Sequence, residues 1–191
     1  MLRISGALFS AALAALLFGC GGNESGGDTT PAKIRVGFVT NCAVEFWAIA
    51  EAGAQDAAKA NDVDVMVRMP PTGTAEEQKR ALEDLVAADV KGIAVSPKDP
   101  DNMTSLLNGI GERCHLITHD SDAPKSNRLC FIGVANYEAG RMCGQLIEEA
   151  MPAGGPICIL VGTLDQDNAR HRRQGLIDHL LGRERDATRF D

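Results

Sequence analysis

Thr40-Asn41, Ser96-Pro97, His119-Asp120-Ser121-Asp122, Asn136 and Asn168 are polar residues that follow short apolar runs in this chain, and Phe46-Trp47 stand side by side shortly after the first of them. A carboxylate such as Asp120 can accept hydrogen bonds from two neighbouring hydroxyls, and aromatic faces cover C–H patches. The set therefore suits a neutral, hydroxyl-rich small molecule. Asp120 has a second reading as a turn or helix cap. The aromatic pair has one too, in which Phe46 enters the core and only Trp47 is exposed.

The machinery of turnover is not visible. The chain has no G-x-S-x-G elbow, no Walker-type phosphate loop and no G-x-G-x-x-G dinucleotide turn. Gly109-Ile110-Gly111 falls at the end of a helical segment, where it reads as a C-cap. His115 and His119 are four residues apart, which on an extended strand separates them by about 13 Å. No catalytic residue, metal or cofactor is expected, and the chain reads as a binder rather than an enzyme.

These residues need a scaffold to bring them together. Apolar runs at 34–39, 63–67, 92–95, 116–118, 130–134 and 157–161 read as strands, and segments at 45–60, 74–88, 101–113, 137–150 and 168–181 have helical length. The runs are continuous rather than alternating, so both faces of the sheet should be covered. A parallel α/β sheet between two helix layers does this. On the first helix Phe46, Ala50, Gly53, Ala54 and Ala57 form one stripe whose small residues should allow close approach to the sheet. On the second, Ala81, Leu82, Leu85 and Val86 face inward, with Glu76, Glu77, Lys79, Arg80 and Glu83 outward. Open parallel sheets bind ligands beyond the carboxyl ends of their strands, where the polar residues above fall.

The N-terminus sets the compartment. Met1-Leu2-Arg3 carries one positive charge, and residues 4–18 then run apolar up to Gly19-Cys20. This is the pattern of an export signal, too short for the roughly 20 residues of a membrane-spanning helix. Leu17-Phe18-Gly19-Cys20 resembles a bacterial lipobox, which implies cleavage before Cys20 and lipidation of its thiol. Residues 20–33 are then a lipidated tether, rich in Gly, Ser and Thr. About 160 residues remain, enough for one ordinary domain or one and a half small ones. The net charge of −7, with no clustered basic residues, argues against a nucleic-acid partner. Cys42, Cys114, Cys130, Cys143 and Cys158 are an odd set without close pairs, and they read as buried free thiols.

The stretches VGFVTNCAVEFWAIAEAGAQDAAK (36–59), GIAVSPKDPDNMTSLL (92–107), LITHDSDAPKSNRLCFIGVANYEAGRMCGQLI (116–147) and ILVGTLDQDNARHRRQGLIDHL (159–180) together resemble the ribose-binding-protein-like family of periplasmic sugar-binding proteins, the solute receptors of ABC importers. The resemblance implies a periplasmic binding protein type I fold, with two Rossmann-like, doubly wound parallel-sheet lobes closing on a monosaccharide. The lobes would span 34–131 and 132–191, the second incomplete at Asp191, after an export signal at 1–19. It implies that Phe46 and Trp47 are the aromatic contacts, Asp120 the hydroxyl-binding carboxylate and Arg172 the guanidinium from the second lobe. Asn41 and Asn168 are further contacts, and Asn136 lies at the hinge. Trp47, Asp120 and Arg172 should converge on one cleft. His119 stands where Gln, Leu or Phe is expected, and Val134-Ala135 replace more polar residues before Asn136. The implied partners are a sugar, an ABC permease in the inner membrane and the membrane itself through the lipid anchor, placing the chain in the periplasm or cell envelope.

Three alternatives remain at this level. One is a sugar sensor presenting its ligand to a chemoreceptor or histidine kinase. Another is a truncated fragment that binds nothing. The third, the effector domain of a sugar-responsive repressor, would need a DNA-binding helix-turn-helix before residue 34, where the export signal stands.

Overall fold

Apolar runs become strands and the amphipathic segments between them become helices. The computed structural model describes residues 32–191. Strands β1 (Ile34–Val39), β2 (Val63–Arg68), β3 (Gly92–Val95), β4 (His115–His119) and β5 (Phe131–Ile132) form one parallel sheet of order β2-β1-β3-β4-β5. The helices are α1 (Glu45–Ala60), α2 (Ala75–Ala87), α3 (Pro100–Gly111), α4 (Asn136–Ala150) and α5 (Asp167–Leu180).

Local signals set two of the helix starts. Thr74 accepts a hydrogen bond from the backbone N–H of Glu77, while the Glu77 carboxylate reaches back to the N–H of Thr72. Asp99 caps α3 through the N–H of Asn102, with Pro100 at the first helical position. Gly109 and Gly111 lie inside α3, whose C-cap is Glu112, so the expected glycine C-cap is not formed.

The core lies on one face of the sheet. Leu82 and Leu85 of α2 and Met103, Leu107 and Ile110 of α3 pack against Val39, Ile93, Val95 and Leu116. Gly37 leaves room for this packing, because a methyl at its position would displace the end of the Leu85 side chain. The opposite face carries α1, where Ala50, Ala54 and Ala57 of the expected stripe turn toward the strands but Phe46 does not. Trp47 and Ala58 are the buried residues, whereas Phe46 is 62% exposed. One residue along a helix is a rotation of about 100°, which turns Phe46 away from the sheet when Trp47 faces it. The small residues also do not close the interface throughout. An apolar groove of about 640 Å³ remains between Ala50, Ala54 and Ala58 and the strand residues Val36, Phe38, Ala94 and Ile117.

Helices α4 and α5 pack backbone against backbone. A methyl at Gly140 would overlap the carbonyl of Arg172, and one at Gly175 that of Tyr137. Tyr137 donates its hydroxyl to the fully buried Asp178, which Gln174 also holds. The run 157–161 does not form the sixth strand. A strand exists only through ladder bonds to a neighbour, and none reaches this run among the described residues. The five cysteines among the described residues are free, but the expectation that they are buried fails. Cys42 and Cys114 are half-buried, while Cys130, Cys143 and Cys158 are exposed. Cys130 precedes a two-residue edge strand, and Cys158 lies in the unpaired run. Cys20 and the apolar segment before it lie outside the described residues.

Candidate functional site

The strand order reverses beside β1, since the chain runs outward to β2 on one side and to β3, β4 and β5 on the other. Ladder bonds continue past the strand ends, from Thr40 N–H to Arg68, from Ser96 N–H to Val39 and from Asp120 N–H to Ile132. Asn41, Ser96 and Asp120 are therefore held at the carboxyl ends of β1, β3 and β4, at the crevice such a reversal creates.

Their side chains form one polar network. The Asp120 carboxylate accepts from the Ser96 hydroxyl at 2.8 Å and from the Asn41 amide at 3.3 Å. The same Asn41 amide donates to Ser96 at 3.2 Å, and the Asn41 carbonyl accepts the Trp47 indole N–H at 3.0 Å. From α5, the Asn168 amide reaches both Asp120 oxygens at 3.4 Å. Asp120 has φ 58°, a left-handed conformation that aspartate adopts more readily than most residues. The loop after it is pinned by Asp122, which accepts from Thr118, from its neighbour Ala123 N–H and from Arg128. Asp122 is thus a structural anchor.

Behind the network lies an aromatic cluster. His119 stacks on Phe38 with ring centroids 4.5 Å apart, Trp47 meets His119 edge-on at 5.5 Å, and Phe46 packs edge-on against Trp47 at 5.0 Å. Burial pushes the His119 imidazole below its ordinary pKa, against the opposing pull of Asp120 and the Val39 backbone. The unfolded chain, with histidine at about 6.5, then takes up this proton before the folded one does. Stability present above pH 6.5 is lost as the pH falls through the folded-state value. Urea unfolding at pH 7.5 and pH 5 should show the loss, and His119→Phe should reduce it. An unchanged pH slope in that variant would refute the assignment. The lowered carboxyls of Asp101 and Asp178 act only in more acidic solution, below their ordinary value of 3.8.

The structure gathers four of the residues singled out in the sequence, Asn41, Trp47, Asp120 and Asn168, into this hydrogen-bonded chain. Phe46 lies at its edge. Trp47 and Asp120 are joined through Asn41, and no hydrogen bond or ion pair links Arg172 to either of them. Arg172 sits one turn beyond Asn168 on α5, where its Nε donates to the Asn136 carbonyl oxygen at 2.8 Å. Asn136 begins α4 as its first residue, so the two form a separate pair. Ser96 belongs to the network although sequence reasoning left it out of the contact set. Its place at a strand end was the available signal. A further bond that was not anticipated runs from Arg170 of α5 to Asp101 of α3 at 2.9 Å.

Residues 36–186 match the periplasmic binding protein domain model. The chain belongs to this family. A solved structure of an ABC transporter solute-binding protein from Burkholderia graminis C4D1M, in complex with D-arabinose, is 30% identical, with a TM-score of 0.76 over 80% of this chain and 53% of that one. GanP, a glucose-galactose binding protein from Geobacillus stearothermophilus, is 27% identical, with a TM-score of 0.75 over 79% and 55%. A sugar-binding protein of a sugar ABC transporter from Bacillus halodurans is 27% identical, with a TM-score of 0.67 over 77% and 50%. The chain thus spans about half the length of these structures. Among curated proteins, no sequence matches it. The family accounts for the parallel sheet and fixes the fold as a periplasmic binding protein type I α/β domain.

Proposed function

We propose that this chain is part of the substrate-binding protein of an ABC-type importer, taking a monosaccharide or related polyol between two lobes that meet near residue 132. The observation that carries this reading is the Asp120 carboxylate, set at the strand-order reversal and surrounded by amide and hydroxyl donors. Such a group, with neutral neighbours, takes two vicinal hydroxyls without requiring a charged ligand. The exposed Phe46 ring supplies a face for sugar C–H groups. Trp47, whose indole N–H is spent on Asn41, supports the polar residues from behind. In this reading Cys20 anchors the protein to the envelope membrane by lipid, and a permease in the inner membrane receives the sugar.

Isothermal titration of the chain with arabinose, ribose, xylose, glucose and galactose tests the reading. Saturable heat with at least one of them is the expected result. A panel without any binder at millimolar concentration would overturn it.

A further inference from the structure

Gln78 is a polar residue in a helix whose neighbours in sequence, Glu76, Glu77, Lys79 and Arg80, are charged. In the structure it is fully buried on α2, on the same face as Leu82 and Leu85. Its amide nitrogen donates to two backbone carbonyls, Thr40 at 2.8 Å and Ser96 at 2.9 Å. Its carbonyl oxygen accepts the backbone N–H of Lys98 at 2.9 Å. These partners lie where β1 and β3 have ended. The last ladder bond between the two strands is the one from Ser96 N–H to Val39, and beyond it the chains separate toward different helices.

We infer that Gln78 is the positioning residue of the Asp120 site: it ties the ends of β1 and β3 together and so fixes the separation of Asn41 and Ser96. One of its acceptors is Ser96 itself and the other is the residue before Asn41. The side chains of Asn41 and Ser96 both donate to the same Asp120 oxygen. Two N–H donors and one acceptor on a short stem are what the gap between the strand ends requires. Glutamate lacks the donors, and an apolar residue of equal size supplies none of the three bonds. Gly73, at φ 66°, lies against the Asn41 carbonyl and Cys42 from the connection preceding α2, so this loop is buttressed from the same side. The geometric part of the inference stands on these contacts, and its consequence for affinity rests on the sugar-binding reading.

Trp47 is the only tryptophan of the chain, so its indole N–H gives a single nitrogen-15 NMR signal that reports the bond to Asn41. In the full chain, Gln78→Met should shift this signal and speed its hydrogen exchange at least tenfold. Affinity for the sugar identified by titration should fall about tenfold. Leu107→Ala, which removes a buried side chain from the same core, should lower the denaturation midpoint while leaving the signal in place and the affinity within twofold. An unmoved signal in Gln78→Met, or equal movement in Leu107→Ala, would overturn the inference. Should no sugar bind the wild-type chain, the function reading fails, yet the indole signal still decides the role of Gln78. Gln78→Glu serves where the methionine variant does not fold. Its carboxyl can donate only when protonated, so the indole signal should return toward the wild-type position as the pH is lowered. A signal independent of pH in that variant would also overturn the inference.

Discussion

Asp120→Ala should abolish measurable sugar binding, with a loss on the order of a hundredfold or more. A hydrogen bond to a charged group contributes roughly 1.5–3 kcal/mol, and a carboxylate facing two vicinal hydroxyls makes two. The substitution also leaves the donors of Asn41, Ser96 and Asn168 without their shared acceptor, which adds a reorganisation cost. Alanine at φ 58° is less comfortable than aspartate, so thermal unfolding must accompany the titration to separate misfolding from lost recognition. Asp120→Asn keeps the shape and one acceptor oxygen and should bind with intermediate affinity. An alanine variant that titrates like the wild type would remove Asp120 from the site.

Trp47→Ala should destabilise the described domain by about 3–5 kcal/mol, the usual range when a buried tryptophan is truncated in a packed core. Against a total of roughly 5–15 kcal/mol for a domain, this is a large fraction. Trp47 is 3% exposed, and its ring meets Phe38, Phe46 and His119 edge-on. Its removal also takes away the donor to the Asn41 carbonyl, so the polar network loosens from behind. Trp47→Phe keeps an aromatic ring but not the N–H, and should recover most of the stability while binding sugar less well than the wild type. Urea denaturation of the two variants measures both effects. A loss below 1 kcal/mol in the alanine variant would contradict the burial described.

These two residues also show how far the sequence could be read. The strands and helices were legible because their signals are local. Largely apolar runs of three to six residues alternate with amphipathic segments, and all five helices lie within two residues of the expected bounds. The run at 157–161 carries the same composition as the others, but a strand is a relation between two segments, and composition describes only one of them. At the start of α1 the expected place of Phe46 failed for a related reason, while Ala50, Ala54 and Ala57 face the sheet as expected. Phe46 and Trp47 are adjacent, and only the position of the sheet decides which of them turns inward.

The candidate site was half legible. Asp120 and Asn41 were visible from their places at strand ends, and the structure joins them with Trp47 and Asn168 as a connected set. Arg172 was placed by resemblance alone, and a helical turn separates it from Asn168. Gln78 shares a helix face with Leu82 and Leu85, since 78, 82 and 85 are spaced by four and three. The phase of the apolar stripe therefore carried the signal, but a polar side chain among charged neighbours reads as solvated until its backbone partners are known.

The bonds between Asn168 and Asp120 set a threshold for anything that enters the crevice. An incoming hydroxyl must outcompete an amide that belongs to the same molecule and is never diluted away. At 3.4 Å those contacts are longer than good hydrogen bonds, so the internal rival is a weak one. Apparent affinity is then the intrinsic affinity divided by the strength of this self-contact, and residue 168 becomes a dial. A side chain there that cannot donate would tighten binding of ligands satisfied by Asp120 alone. For ligands that need both groups, the same change would weaken it.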